Sequence, residues 1–439
     1  MMHFLKLHIK AQLLLLLALF LMPTHAATPQ DHLRANQHME TDSMTFSLIT
    51  CGQGDEIYSL FGHTAIRYQN PARQIDVAFN YGVFDFDTPH FALRFALGET
   101  DYLLGVNDFR RLCAGYAMMG RSVNEQVLNL TTDEKLRLLG LLEENYRPEN
   151  RTYRDNLFYD NCATRPRNLI ERAISSGTLH YAEPMDEPLE DTTFRTLLHR
   201  YSTHALWSRF GMDLCMGSKA DRPITRREME FVPFCLRDDL QQAVIIAPDG
   251  SSRPLVSKVQ RWNDLPEMHA KENQEGHALK NESTQLLDLV TPSAAAIALL
   301  LVVVTMTLAG TIRRRHTLWV LDLILLTVAG ISGCILAFLA LFSQHPCVDH
   351  NWMLLALHPL HLLCLPCTLR RVRKGLLSRY QIANLCSLTL FIIVYCLKIQ
   401  IIPLTAVYLA LCLLIRAIAN LWLSRQRRLP PSLEQQNDR

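Results

Sequence analysis

The chain has 439 residues and a formal net charge of +2, with 44 Lys and Arg against 42 Asp and Glu. That balance offers no charge argument for nucleic acid, because the basic residues are largely accounted for by membrane orientation. The length accommodates one sizeable domain plus further structure, and the composition changes sharply near residue 289, from soluble to membrane-like.

Met1–Ala27 carries Lys6 and Lys10, an apolar stretch over Leu13–Met22 and a small-residue end at Thr24-His25-Ala26-Ala27. This is the layout of a secretory signal or, uncleaved, of an amino-terminal anchor. Either one exports the domain over residues 40–265. Within it Thr45–Thr50 reads as a short apolar strand broken by Gly52-Gln53-Gly54, and Glu56–Phe61 as a helical turn or loop leading to His63. His63–Tyr68 and Gln74–Tyr81 look like two strands joined at Asn70-Pro71. Paired as a hairpin, they put His63, Ala65 and Arg67 on one face, and the partner strand offers Asp76, Asn80 or Tyr81 to orient the imidazole. Asn80 is the favoured orienter, and a one-residue register slip would change that choice. Asp85-Phe86-Asp87 is either an acidic pair or, with Thr88 and Pro89, a loop capping a following helix.

Thr131-Thr132-Asp133-Glu134 opens a helix with a capping-box pattern, and Leu136, Leu138, Leu139, Leu141 and Leu142 make it apolar scaffold. Arg147-Pro148 ends it, and the chain runs through Phe158-Tyr159 to Asn161-Cys162. Leu169, Ile170, Ala173 and Ile174 then recur at helical spacing. Pro166 fits the first turn only, so the regular helix begins near Thr164 with Cys162 on the turn just ahead. There the positive end of the backbone dipole is expected to lower the thiol pKa. Arg165 and Arg167 stabilise the thiolate, hold a phosphate, or are simply solvated helix residues.

Lys258–Glu282 is polar, and residues 266–289 read as a linker. Apolar stretches come next at 290–311, 317–342, 352–369, 381–398 and 401–423, each near the about 20 residues that cross a bilayer. Arg313-Arg314-Arg315, the group Arg370, Arg371, Arg373, Lys374 and Arg379, and the tail 424–439 with Arg425, Arg427 and Arg428 fall on alternate connections. Ser343–Asn351 and Ile399-Gln400 carry no Lys or Arg. The positive-inside rule therefore puts the exported domain outside, five helices over 290–423 and the tail in the cytoplasm. His345-Pro346-Cys347-Val348-Asp349-His350-Asn351 has residue types that bind zinc but no zinc spacing, and reads as a polar loop near a lipid headgroup or an interfacial turn. Cys364-Leu365-Pro366-Cys367 has redox spacing inside an apolar span, where cysteines act as small fillers. His358, His361 and Lys398 are costly in hydrocarbon unless they face a cavity or interface, which makes them candidates for a lipid path.

Five of the 12 cysteines, Cys51, Cys113, Cys162, Cys215 and Cys235, lie in the exported domain. An odd number in an oxidising compartment leaves at least one thiol unpaired, and pairing Cys215 with Cys235 and Cys51 with Cys113 would leave Cys162 free. A histidine beside such a thiol can take its proton and later return it. The order here is His63 then Cys162, the reverse of papain-like hydrolases. The pair therefore resembles the circularly permuted papain-like site of lecithin:retinol acyltransferase and its relatives; the alternative is a buried structural thiol and an unrelated strand histidine.

Leu48-Ile49-Thr50-Cys51-Gly52, Tyr58-Ser59-Leu60-Phe61-Gly62-His63-Thr64-Ala65, Phe79-Asn80-Tyr81-Gly82-Val83-Phe84-Asp85-Phe86-Asp87, Asn145-Tyr146-Arg147-Pro148-Glu149-Asn150-Arg151 and Tyr159-Asp160-Asn161-Cys162-Ala163-Thr164-Arg165 together resemble the periplasmic domain of the Lnb family. The resemblance runs from about residue 44 to the carboxyl terminus, since that family also carries a five-helix membrane domain. It implies an α+β, circularly permuted papain-like exported domain, followed by an all-α membrane domain of five transmembrane helices, in the inner membrane with the catalytic domain in the periplasm. It also implies lipoprotein N-acyltransferase activity, the transfer of an acyl chain from a phospholipid to the α-amino group of a diacylated lipoprotein's amino-terminal cysteine. The expected partners are that phospholipid donor, that lipoprotein acceptor and the membrane, with no nucleic acid, cofactor or metal. By the same resemblance Cys162 is the nucleophile and His63 its base. Backbone N–H groups at the Cys162 turn are the expected oxyanion donors, with Tyr58 or Tyr81 as side-chain candidates. Pro166 departs from the pattern expected after Cys-Ala-Thr-Arg. Two rival readings are a thiol hydrolase acting on peptidoglycan peptides or lipids, and a non-catalytic membrane scaffold that binds lipoproteins.

Overall fold

The structure, a computed structural model, describes residues 43–84, 89–262, 290–312 and 318–426. The signal segment 1–27, Asp85 and Asp87, the linker 266–289, Arg313–Arg315 and, of the tail 424–439, residues 427–439 lie outside the described residues.

Alternating side chains build the amino-terminal domain around an antiparallel sheet of β1 (Thr45–Cys51), β2 (His63–Asn70), β3 (Ile75–Val83), β4 (Asp101–Asp108), β5 (Val123–Leu128), β6 (Thr152–Arg154) and β7 (Val256–Arg261), in the order β7-β5-β1-β2-β3-β4-β6. Phe46, Leu48, Ile66, Tyr68, Phe79 and Tyr81 face one side and share a core with helices α3 (Thr132–Tyr146), α4 (Thr164–Ala173) and α7 (Pro233–Gln242). Ile49, Ala65 and Ala78 face the other side, covered by α2 (Phe109–Met118). Neighbouring residues along a strand thus reach opposite helix layers, as a strand period of two requires. Thr131 caps α3 in a reciprocal box with Glu134, the local pattern the sequence carries. On the second face Arg67 is 4% exposed and makes paired contacts with Asp76 (2.7 Å) and Glu125 (2.9 and 3.0 Å), under the Phe109 and Trp262 rings.

The expected disulfides do not form: all five cysteines of this domain are free. Cys51 and Cys113 share a core cluster unbonded. Cys215 ends α6 (Leu206–Cys215) against the membrane-domain core, whereas Cys235 lies in another cluster beside the Tyr201 hydroxyl, with O and S 3.7 Å apart. Membership of separate packing units is what keeps that second pair apart.

Among the described residues four helices are long and apolar enough to cross a membrane: α8 (Pro292–Ile312), α9 (Trp319–Phe342), α11 (Arg379–Cys396) and α12 (Leu404–Gln426). The expected straight span at 352–369 is instead broken. Trp352–Leu363 and Leu365–Arg373 (the latter α10) meet at 77°, and counting the pair as one span brings the total to five. Pro366 stands in the first turn of α10, where its missing N–H cannot continue the preceding ladder. The broken piece presses on a glycine face of α9: a methyl added at Gly333 would lie 2.5 Å from the His358 backbone. His358 and His361 stack at 4.0 Å between centroids, and His361 Nδ1 accepts from the Tyr380 hydroxyl at 2.6 Å. With His361 wholly buried, this pair is packing inside the bundle and not a lipid-facing surface.

The amino-terminal domain and the membrane helices are joined through two outer connections. Gly217 N–H donates to the Cys347 carbonyl at 2.7 Å, Asn351 Nδ2 to the Leu214 carbonyl at 2.7 Å, and Lys219 pairs with Asp349. At the second connection Gln400 Nε2 donates to the Met216 carbonyl at 3.1 Å and Ile401 N–H to Asp221 at 2.9 Å. The 343–351 loop is therefore a docking element whose polar groups bind protein. At its centre Arg195, on α5 (Phe194–Tyr201) and 0% exposed, bonds Asp213 (3.0 Å), Asp221 (2.6 Å) and the carbonyls of Met216 and Gly217. Replacing Arg195 by Met takes the guanidinium from buried Asp213 and part-buried Asp221, which keep only His199 and the Ile401 N–H, so it is expected to cost about 3 kcal/mol of stability. A thermal melt of the detergent-solubilised protein checks this; an unchanged melting temperature would show that Arg195 does not hold the two parts together.

Candidate functional site

His63 is the first residue of β2, and Cys162 sits on the turn that leads into α4. They are brought together over Gly82, at the bulged end of β3. A methyl group built on Gly82 would come 3.8 Å from Cys162 Cβ and 3.9 Å from His63 Cε1. With φ of +97°, Gly82 adopts backbone that a side chain would strain, and the two reactive residues converge above bare main chain.

The strand register decides which side chain faces His63. Ala65 pairs with Asn80, so Asn80 is the diagonal neighbour of His63 on the same face. Asn80 Nδ2 donates to Asn107 Oδ1 at 2.7 Å, which turns Asn80 Oδ1 toward His63 Nε2 at 3.3 Å. The imidazole proton then belongs on Nε2, and Nδ1 carries the free lone pair. Asp76 is spent on Arg67. Tyr81 faces the other core, where its hydroxyl accepts from Asn145 Nδ2 at 3.0 Å.

The turn before α4 is built by Asn161. Its Oδ1 accepts from the N–H groups of Ala163 (2.9 Å) and Thr164 (3.0 Å), and its Nδ2 donates to the carbonyls of Leu157 and Phe231, both at 2.9 Å. Those two N–H groups would otherwise be orphaned at the helix start. The N–H groups of Cys162 itself and of Thr64 are left to point at the sulfur. Pro166 occupies the third position of α4, where no N–H is needed, so its departure from the family pattern leaves the turn intact.

Electrostatically the resting pair is neutral. Burial pushes the Cys162 thiol up to about 12; the Thr64 and Cys162 N–H groups and Arg121 oppose the rise, and Asp155 adds to it. Burial, then the Arg121 charge, holds His63 down at about 4, against a smaller opposite effect of Asn80. The expected dipole-stabilised thiolate is thus overruled by desolvation. Both residues stay partly exposed, so a ligand can reach them.

Arg165 and Arg167 are committed to internal partners. Arg165 forms a two-bond pair with Asp160 (2.6 and 2.7 Å) and lies 3.7 Å over the Tyr153 ring. Arg167 bonds buried Glu230 and the Arg227 carbonyl, each at 3.1 Å. Tyr58 is 63% exposed, with its ring edge on Phe84. Three neighbours escape a reading of the sequence: Asn161, Arg121 and Asp155. An Asn ahead of a helix start is a cap signal in itself. Arg121, which donates to the Gly52 carbonyl at 2.8 Å, and Asp155 reach the site from segments without any local motif.

Asp155 gives the site a pH response. Burial, helped by Asp160 and opposed by Arg165, raises its carboxyl to about 7, so it is neutral below that pH and charged above it. A negative charge there disfavours thiolate, whereas Arg121 favours it. At pH 8, Asp155→Asn is expected to speed alkylation of Cys162 by iodoacetamide and Arg121→Gln to slow it. At pH 5, where Asp155 is protonated, Asp155→Asn is expected to change little. Peptide mass spectrometry of Cys162 reads each rate, and equal rates at pH 8 would remove Asp155 from the site.

The Lnb N-terminal periplasmic domain matches residues 31–200, which hold His63, Asn80 and Cys162. The Lnb transmembrane domain matches residues 282–428, which hold the apolar helices. No curated protein and no solved structure matches the chain. Two domain matches in the same order, one over the thiol–imidazole site and one over the bundle it docks on, place this multi-pass membrane protein in the Lnb family.

Proposed function

We propose that the protein is a lipoprotein N-acyltransferase of the inner membrane, acting from the periplasmic side through Cys162. The observation that carries this reading is the convergence of a Cys162 thiol and a His63 base over Gly82, in a domain docked on membrane helices. A circularly permuted papain-like arrangement is part of the proposal: His63 from a strand precedes Cys162 from a helix start.

The thiol and imidazole react from their neutral forms. His63 Nδ1 takes the thiol proton as sulfur attacks the ester carbonyl of a phospholipid, and the carbonyl oxygen becomes an oxyanion within reach of the Thr64 and Cys162 N–H groups. Collapse breaks the ester C–O bond, and His63 returns the proton to the departing lysophospholipid oxygen. The α-amine of a diacylated lipoprotein then attacks the thioester, losing a proton to His63; the C–S bond breaks, the thiolate regains that proton and an amide remains. Asn80 holds the Nε2–H throughout. Because both substrates are lipid-anchored, docking the site on the bundle turns a search in three dimensions into a local one.

Purified protein incubated with acyl-labelled phospholipid and no amine is expected to carry label that neutral hydroxylamine releases. Cys162→Ala is expected to abolish it, His63→Ala to slow it by about 10³-fold or more, and Asn80→Ala to slow it less, since a supporting group costs less than the base. Label that persists in Cys162→Ala would overturn the assignment of the nucleophile. In cells that lack the protein and have no other enzyme of this activity, mass spectrometry is expected to find lipoprotein amino termini unacylated; persistent N-acylation would overturn the activity.

A further inference from the structure

A run of aromatic rings connects the membrane boundary to the thiol. It starts on α1 (Phe91–Leu97), whose last carbonyls are satisfied by the membrane domain: Gln344 N–H donates to the Leu97 carbonyl at 2.8 Å, and His345 Nε2 lies 2.6 Å from the Phe95 carbonyl. Phe95 also sets its ring 5.6 Å from that of His345, two residues past the outer end of α9 at Ser343. From Phe95 the centroids step 6.1 Å to Phe91, 5.9 Å to Phe84, 5.3 Å to Tyr102 and 6.3 Å to Tyr153. Tyr153 belongs to the core cluster against which both Tyr102 and Cys162 pack, so the ring series ends beside the thiol.

Tyr153 is buried in the core, but Phe84, Phe91 and Tyr102 are partly exposed and Phe95 stands in the open. Leu93 is 53% exposed, Phe95 46% and Tyr58, which branches onto Phe84, 63%. Phe342, the last residue of α9, is 64% exposed, so apolar surface continues from the helix end that faces lipid onto α1. A soluble domain gains nothing by presenting such a strip to water. A strip that begins at a bilayer surface and ends at a nucleophile has one natural occupant, an apolar chain still rooted in that bilayer.

We propose that the Phe95–Phe91–Phe84–Tyr102 ring series is the track along which one acyl chain of a membrane phospholipid lies while its ester carbonyl is held at Cys162. The proposal rests on the acyl-transfer reading and adds to it the direction of the chain: the carbonyl end at Tyr102, the methyl end at Phe95 and the membrane boundary. Flat rings suit this task because they offer apolar area without groups that need hydrogen bonds, and they accept a sliding chain.

The test places full-length protein in phosphatidylcholine vesicles with a trace of phosphatidylcholine bearing a diazirine on one acyl chain. Light-induced adducts are then mapped by mass spectrometry. A diazirine near the chain terminus is expected to mark Phe91–Phe95, and one near the ester to mark Tyr102 or Tyr153. Adducts confined to the membrane helices would overturn the track, whether or not Cys162 acquires acyl groups. In a second arm, Phe91→Asp is expected to depress Cys162 labelling by a long-chain donor about tenfold or more beyond its effect on a dihexanoyl donor, the loss of roughly two methylenes of burial. An equal effect on both donors would overturn it. Absence of hydroxylamine-labile label from either donor in the unaltered protein would instead sink the transfer reading, and the adduct map would still decide on the track.

Discussion

Arg195 is the point on which the relation of the two domains depends. A guanidinium removed from water is tolerated only when its donors are nearly all used, and here two carboxylates and three carbonyls use them. Its partners double as the docking strip. The second oxygen of Asp221 accepts from Ile401, the Met216 carbonyl accepts from Gln400 as well, and Gly217 gives its N–H to Cys347. A methyl on Gly217 would lie 1.9 Å from the Asp349 carbonyl oxygen, so the approach is close enough to admit only glycine. One buried cation thus shapes residues 213–221, and that segment fixes the height of the site above the helices.

The neutrality of the thiol–imidazole pair follows from the same compactness. Protein packed around Cys162 and His63 withdraws water from both charged forms, raising one pKa and lowering the other. An ion pair formed in advance would be at risk of reacting with whatever arrives. On the acyl-transfer reading proposed above, a pair that exchanges its proton only as an ester carbonyl comes within reach would have its nucleophilicity tied to substrate binding, and the N–H groups of Thr64 and Cys162 would offset charge as it develops.

Much of the site was legible because strands have a period of two. With His63 and Asn80 on adjacent strands, every other register puts them on one face and a one-residue slip separates them; Ala65 opposite Asn80 is a register that keeps them together. The helix onset at Thr164 was legible from Pro166 alone. What was not legible depends on long-range packing. Burial of Cys162 reverses the sign of the pKa shift that a helix start suggests. Arg165 and Arg167 look like phosphate ligands in a linear string, but Asp160 and Glu230 take them in space. The cysteine pairing was parity reasoning, and nothing in a count of thiols reveals that Cys215 belongs to the core of the membrane domain. The break at Leu363–Leu365 hides in hydropathy, since both halves are apolar; Pro359 and Pro366, one on each side of it, are its local signs.

The inner half of the bundle contributes to the outer site through rigidity. Arg416 on α12 bonds Asp322 on α9 at 2.7 and 3.0 Å and Thr307 on α8 at 3.2 Å, with Asn420 closing the group, all buried. In hydrocarbon an unpaired charge is so costly that such a group resists any sliding of one helix past another. At the other end of α8 and α12, Ser293 and Thr405 are joined at 2.8 Å. With both ends of the helices pinned, the outer connections at 343–351 and 400–401 have a fixed spacing, and the docking strip organised by Arg195 meets both at once. The charge pair among the spans and the thiol above them are thereby mechanically linked: a polar clamp fixes helix register, register fixes the loops, and the loops fix where Cys162 stands above the helices.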